Sequence, residues 1–237
     1  MTDRSPSARV SCIVPVHNGG AFLAQALTSI LHQRGAELEV IVVDDGSSDA
    51  SGAIAAGFDG VRVHRQAQAG VAAARNAGVV LARGDFIAFL DVDDLWLPGK
   101  IAAQLAALEA DPAADYSLTL VRHIAMDGEK PGPLDDSPRL GRLMQCLLMR
   151  RAAFDRVGAF DTGTLTRADQ DWFLRADALK LRPAIVEEVL VLRRIHGSNH
   201  SLTNANQVID DFLTIAKRNL DRRRKEGALR PVHHWST

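Results

Sequence analysis

Val42-Val43-Asp44-Asp45-Gly46-Ser47-Ser48-Asp49 and Phe89-Leu90-Asp91-Val92-Asp93-Asp94 decide how this chain is read. In each, carboxylates follow directly on an apolar run with the composition of a buried parallel strand. Open α/β sheets bind their ligands at the carboxyl ends of such strands. A third acidic segment, Ala168-Asp169-Gln170-Asp171-Trp172, lies far along the chain. Gathered carboxylates repel one another, and a divalent cation holding a diphosphate is the simplest relief.

Outward from these segments the pattern alternates. Residues 10–16 read as an apolar strand, and Phe22, Leu23, Ala26, Leu27, Ile30 and Leu31 recur at helical spacing. Residues 38–43 are the next strand, before a helix that Ser47, Ser48 or Asp49 can cap. A strand at 61–64, an alanine-rich helix at 71–81, a strand at 86–90 and a helix opened by Pro98 along Ile101, Leu105 and Leu108 follow. The stretch 127–142, rich in Gly, Pro and charge, separates this half from a less regular one. There the pattern predicts helices near 152–157 and over 169–179, a strand over 184–192, and an amphipathic helix through Val208, Ile209, Phe212, Leu213 and Ala216. Strands alternating with helices imply an α/β fold, with a mostly parallel central sheet flanked by helices.

The 237 residues fit one large domain, which buries roughly 70–75% of its unfolded surface. A content of 46% hydrophobic and 24% charged residues is that of a soluble globular protein, and a formal charge of -1 argues against bulk nucleic-acid binding. Cys12 and Cys146 sit in apolar segments without metal-ligand spacing and read as reduced core residues, which makes the cytoplasm the default location. No apolar run reaches the length of about 18 residues that a membrane span needs. The polar start has no signal-peptide character.

Ser11-Cys12-Ile13-Val14-Pro15-Val16-His17-Asn18, Val43-Asp44-Asp45-Gly46-Ser47, Gly70 with Ala74-Arg75-Asn76-Ala77-Gly78, and Gly84-Asp85 leading to Leu90-Asp91-Val92-Asp93-Asp94 form an ordered series. In order and spacing it resembles the family 2 glycosyltransferases of the GT-A fold. The likeness continues through Trp96-Leu97-Pro98, Arg150-Arg151, Gly158-Ala159-Phe160-Asp161, the Asp169 segment and Arg194-Ile195-His196-Gly197-Ser198-Asn199. It implies metal-dependent, inverting transfer of a sugar from a nucleotide-diphosphate donor, expected to be a UDP-sugar, to an acceptor hydroxyl. It also implies a single GT-A domain over 1–237, with a nucleotide-binding half at 1–110, an acceptor and catalytic half at 111–204, and a C-terminal helix and tail at 205–237.

The site residues follow from the same resemblance. In an extended segment residues two apart point the same way, so Asp91 and Asp93 can share one ligand while Val92 packs behind. By resemblance Asp91 reaches the ribose, and Asp93 holds the Mn²⁺ or Mg²⁺ that bridges the phosphates, with His196 as a second metal contact. Asp44 and Asp45 are nucleoside ligands, Asp45 being the closer match for the base N–H. Pro15, Val16, His17 and Asn18 line the other side of the base, with His17 where the family commonly has Tyr. Arg75 and Asn76 match residues that hold the donor ribose, phosphate or sugar, although Arg75 reads equally as the partner of a buried Asp. Arg193 or Arg194 faces the diphosphate. Asp169 is the candidate general base and Asp171 the alternative, since Ala168 stands where the family usually has Glu.

Plainer readings accompany these. The acids of 91–94 suit a surface turn, those of 169–171 a helix start, and a lone His is more often a hydrogen bonder than a ligand. Trp96 and Trp172 can stack on a sugar or simply pack. The run Arg222-Arg223-Arg224-Lys225 suits a solvated helix end or an anionic lipid surface at the inner membrane face, and His233-His234-Trp235 a frayed terminus. A sugar-nucleotide pyrophosphorylase would place a Gly-rich phosphate loop after Val16, and a dinucleotide oxidoreductase a G-x-G-x-x-G there; neither is present. A noncatalytic sugar-nucleotide-binding protein is the remaining rival. Acceptor choice is expected in 122–148 and 162–167. A glycan, a lipid-linked molecule, a peptide and a small molecule all stay open as acceptors, as does a homodimer.

Overall fold

The computed structural model describes residues 8–126, 137–163 and 167–196, together with helical positions 211, 214, 215, 217 and 218. The first half runs β1 (Arg9–Val16), α1 (Gly20–Leu31), β2 (Glu37–Asp45), α2 (Ser51–Ala56), β3 (Val61–Gln66), α3 (Val71–Leu81) and β4 (Phe86–Phe89). Then come β5 (Leu95–Trp96), α4 (Lys100–Ala110), β6 (Tyr116–Ala125), β7 (Arg139–Leu140) and a single 3₁₀ turn, Met144–Cys146. β8 (Leu147–Arg150), α5 (Arg151–Val157), α6 (Ala168–Ala178) and β9 (Pro183–Ile195) complete the order.

β1 and β2 are nearly continuous apolar runs because both of their faces are covered. Val10, Cys12, Val14, Val40 and Val42 meet Leu23, Leu27 and Ile30 of α1 and Ile101 and Leu108 of α4 on one face. Ile13, Ile41 and Val43 meet Ala74 of α3, Phe154 of α5 and Trp172 and Phe173 of α6 on the other. Each large side chain so buried stabilises the fold by about 1.5–3 kcal/mol. Both cysteines are buried and free, and burial pushes their thiols up to about 12. They remain protonated and inert.

The strand order is β3-β2-β1-β4-β8-β6-β9-β5, with β7 on β6. β3, β2, β1 and β4 are mutually parallel, as the alternating pattern predicts. β8 then enters antiparallel between β4 and β6, β6 and β9 are parallel, and β5 is antiparallel to β9. The second half of the sheet is therefore mixed. The chain passes from β1 through β2 to β3 on one side and returns to β4 on the other, so a crevice opens beyond the carboxyl ends of β2, β1 and β4.

Several expectations shift in detail. The helix after β2 begins at Ser51 with Ala50 at its N-cap position, so none of the three candidates holds that place, although Asp49, one residue earlier, bonds the first turn. Asp49 Oδ1 accepts from the Ser51 N–H at 2.9 Å and from the Ser51 hydroxyl at 2.6 Å. The helix after Pro98 starts at Lys100, following Gly99. Residues 91–94 are a turn closed by the Asp94 N–H on the Asp91 carbonyl at 3.0 Å, not an extended segment. Among the described residues no helix is long and apolar enough to cross a membrane. Val208, Ile209, Phe212, Leu213 and Ala216, Gly197-Ser198-Asn199, residues 222–225 and 233–235, and most of 127–142 lie outside the described residues.

Candidate active site

At the end of β1, Pro15 and Val16 are buried whereas His17 and Asn18 are exposed. His17 Nδ1 lies 2.8 Å from the Asp45 carbonyl oxygen, and its Nε2 lies 3.2 Å from Asn18 Nδ2. A carbonyl only accepts, so Nδ1 carries the proton and Nε2 accepts from the Asn18 amide. Asn18 donates its backbone N–H to the Ser47 hydroxyl at 3.0 Å and accepts on Oδ1 from the Ser48 N–H at 2.8 Å. These contacts join the end of β1 to the turn after β2. Gly46 makes that turn with φ 74°, a conformation that L side chains resist. A Cβ on Gly19 would come within 2.8 Å of Val92, so only glycine lets the β1–α1 turn lie against the acidic turn 91–94.

Residues two apart on a strand share a face, so Asp44 and Asp45 part company. Asp45 Oδ1 accepts from Gln66 Nε2 and the Ala69 N–H, both at 2.8 Å, and Oδ2 from the Gly70 N–H at 2.7 Å. Three of its roughly four acceptor positions are thereby used to shape the 66–70 loop. Asp44 is turned into its own bend. Its Oδ1 accepts from the Ser47 N–H at 2.8 Å, and Oδ2 lies 3.8 Å from Arg65 Nε.

Arg75, buried on α3, joins the two halves of the site. One terminal nitrogen bonds Asp91 Oδ1 at 2.6 Å and the other bonds Asp169 Oδ1. Burial works against its charge, but the carboxylates of Asp169 and Asp91 outweigh burial and hold the guanidinium above its ordinary value. The other oxygen of Asp169 accepts from the Met144 N–H at 3.1 Å. Asn76, the next residue, faces elsewhere: its amide accepts from the Phe160 N–H at 2.8 Å and donates to the Phe160 carbonyl at 2.9 Å. Asp171 is also outside the cluster, buried on Arg175 Nε at 2.8 Å, so the geometry separates the two acids of α6. Ala168 is buried in the core beneath them.

Asp93 and Asp91 take different partners, since the turn, unlike a strand, does not align alternate side chains. Asp93 Oδ2 lies 3.2 Å from His196 Nε2. His196 stacks on Phe22 of α1 with ring centroids 4.8 Å apart, and the Arg194 guanidinium lies 4.9 Å from the same ring. Arg194 Nε donates to the Asp93 carbonyl, NH1 donates to Gln25, and the Arg194 backbone N–H donates to Asp94 Oδ1 at 3.0 Å. Burial holds this guanidinium below its ordinary value, against the opposing pull of Asp94 and Asp93. Burial, then the carboxylates of Asp93 and Asp91, push Asp94 well above the usual carboxylate range.

Sequence reasoning missed Phe22, Gln25, Met144 and Gln145. Phe22 and Gln25 stand three apart on α1 and so share a face, a signal present in the sequence. The 3₁₀ turn carries no such signal. Trp96 and Trp172 are both buried, Trp172 among Tyr116, Phe160 and Phe173 and Trp96 with its indole N–H on the Gln145 carbonyl at 3.0 Å, so neither is open to a sugar ring.

The chain matches the family profile described as Glycosyl transferase family 2 over residues 11–179. It belongs to that family. An uncharacterized glycosyltransferase of Nostoc sp. is 36% identical over 247 residues, covering 86% of this chain and 76% of its own length. Another, of Rickettsia typhi, is 28% identical over 228 residues, covering 88% and 70%. Among solved structures, S. aureus TarS 1-349 in complex with UDP-GlcNAc superposes with a TM-score of 0.68 at 20% identity. That match covers 82% of this chain and 61% of TarS 1-349, and it shows the shared GT-A fold. As a family 2 member the chain is a glycosyltransferase, and Asp91 and Asp169 meet on Arg75 beside the strand ends.

Proposed function

We propose that this enzyme moves a sugar from a UDP-sugar to an acceptor hydroxyl with inversion, supported by Mn²⁺ or Mg²⁺. The observation that carries the reading is Arg75 holding Asp91, from the end of a sheet strand, and Asp169, from the start of α6, on one guanidinium. The UDP-GlcNAc in the TarS structure gives the donor class its support.

The base edge would sit between His17 and the 66–70 loop, against the acceptor position that Asp45 has left, with Pro15, Val16 and Asn18 as the wall. Asp44 keeps the turn closed. Asp91, with one oxygen on Arg75, offers its other oxygen to the ribose. Asp93 and His196 are a hard oxygen and an imidazole nitrogen 3.2 Å apart. Among the described residues no protein cluster of three or more such ligands forms. The pair would hold a Mn²⁺ or Mg²⁺ ion only in part, with groups other than the protein completing its coordination. When bound, the ion would offset the charge of the diphosphate leaving group. Arg194 keeps the Asp93 backbone and the His196 strand end together, and Val92 packs the turn onto Gly19. Asp169, oriented by Arg75 and the Met144 N–H, takes the acceptor proton. Asn76 braces Phe160, whose ring lies 5.7 Å from the Arg75 guanidinium. Asp171 anchors α6 through Arg175.

Thermal unfolding against a panel of nucleotide sugars, with and without Mn²⁺, tests the proposal. UDP-sugars should raise the midpoint by a few degrees, and further with Mn²⁺. No shift with any nucleotide sugar contradicts it. Transfer of label from the stabilising donor, or its hydrolysis, then separates an enzyme from a noncatalytic binder.

A further inference from the structure

The 3₁₀ turn Met144–Cys146 stands between the two arms of the site, and each of its residues is tied to a different element. The Met144 N–H reaches Asp169 Oδ2 at 3.1 Å, and Gln145 Nε2 reaches Asp94 Oδ2 at 2.6 Å. The Gln145 carbonyl accepts from Trp96 Nε1 at 3.0 Å, and the Cys146 carbonyl accepts from Gln104 Nε2 at 2.9 Å. All three turn residues are buried. From Asp94 the connection continues. Its other oxygen takes the Arg194 N–H at 3.0 Å, Arg194 Nε holds the Asp93 carbonyl, and His196 follows two residues later against Asp93.

Gln145 Oε1 is buried and has no partner among the described residues. A buried amide with half its polar atoms unmet is a poor filler, and an apolar side chain of equal length avoids that cost. The contact with Asp94 accounts for the amide. We propose that Gln145 is a positioning residue for the metal arm, setting through Asp94 and Arg194 where Asp93 and His196 stand. The inference rests on the donor and metal reading above and adds a residue that the sequence pattern did not mark.

The test is Mn²⁺ retention in the presence of UDP, read from the loss of the free-ion EPR signal, with UDP binding in EDTA as a second readout. Gln145→Met keeps the length and removes the donor. It should hold Mn²⁺ about tenfold more weakly, as loss of an outer partner does at metal sites, while UDP binding in EDTA is unchanged. A packing defect weakens both. If Gln145→Met does not fold, Trp96→Phe frees the Gln145 carbonyl instead, and weaker Mn²⁺ retention is again expected. Unchanged retention in the folded variant, beside a wild type that retains the ion, overturns the positioning role and leaves the proposed function standing. A wild type that retains no Mn²⁺ with UDP overturns both.

Discussion

Arg75 and Asp169 stand 94 residues apart in sequence and share an ion pair at the centre of the crevice, with Asp91 on the other arm of the same guanidinium. The strand-end acids of the first half and the helix-start acid of the second therefore meet on one cation. Its removal leaves two carboxylates facing each other.

Arg75→Met should lower unfolding free energy by about 2 kcal/mol, less than a fully buried pair loses, because both carboxylates keep some water contact. Arg75→Lys keeps the charge but cannot fork between two acids. It should fold near normally and lose transfer by at least about tenfold, as oriented groups are displaced. Urea titration and a transfer assay check both, and full activity in the Lys variant contradicts the bridging role.

Asp93→Asn and His196→Ala should weaken UDP-sugar binding in Mn²⁺ and leave binding in EDTA unaltered. Calorimetric titration under the two conditions decides the matter. Equal losses with and without metal point to a general disruption of the acidic turn instead.

Glu39 lies at the opposite end of the sheet from the crevice. Burial opposes its charge, but the Ser11 hydroxyl, the Arg83 N–H and Arg62 together hold its carboxyl below the usual value. A carboxyl depressed in the folded state contributes stability that is present above its unfolded pKa of about 4.3 and fades as pH falls through the folded one. Glu39→Gln should therefore cost about 1–3 kcal/mol at pH 7 and progressively less below pH 4. Urea unfolding of both proteins over that acid range reads the convergence. Parallel curves exclude the contribution.

Lys100 is buried, with its ammonium 2.6 Å from Gln104 Oε1 and 4.2 Å from the Trp96 ring centre. Burial pulls it down to about 7. The folded state thus binds this proton less readily than the unfolded chain, so stability should rise with pH from about 7 to about 10 and be flat in this term below. Lys100→Met removes that slope. Its stability relative to wild type should be most favourable at pH 6 and decline by about 2–4 kcal/mol by pH 10. A pH-independent difference between the two rules this out.

Much of the first half was legible because its strands are apolar runs and its helices have clear periodicity. The helix at 71–81 has the bounds read from the sequence. β8 was not legible, being four residues that run directly into α5 and so offering no period of their own. β5 and β7, of two residues each, are defined only by their partners. Motif order singled out Asp91 and Asp169, which meet on one guanidinium, and Asp93 and His196, which stand 3.2 Å apart. It could not tell which acid of α6 faces Arg75, because that depends on where Arg175 and Arg75 lie in space. The role of Gln145 depends wholly on the packing of a 3₁₀ turn between strands that the pattern did not reveal.

The most direct test of the account is Asp169→Asn, which keeps an oxygen for Arg75 and removes the base. UDP-sugar affinity should stay within about twofold while turnover falls by about 10²–10⁴, the contribution of a positioned base. Normal turnover in this variant contradicts the assignment of Asp169 and the mechanism built on it.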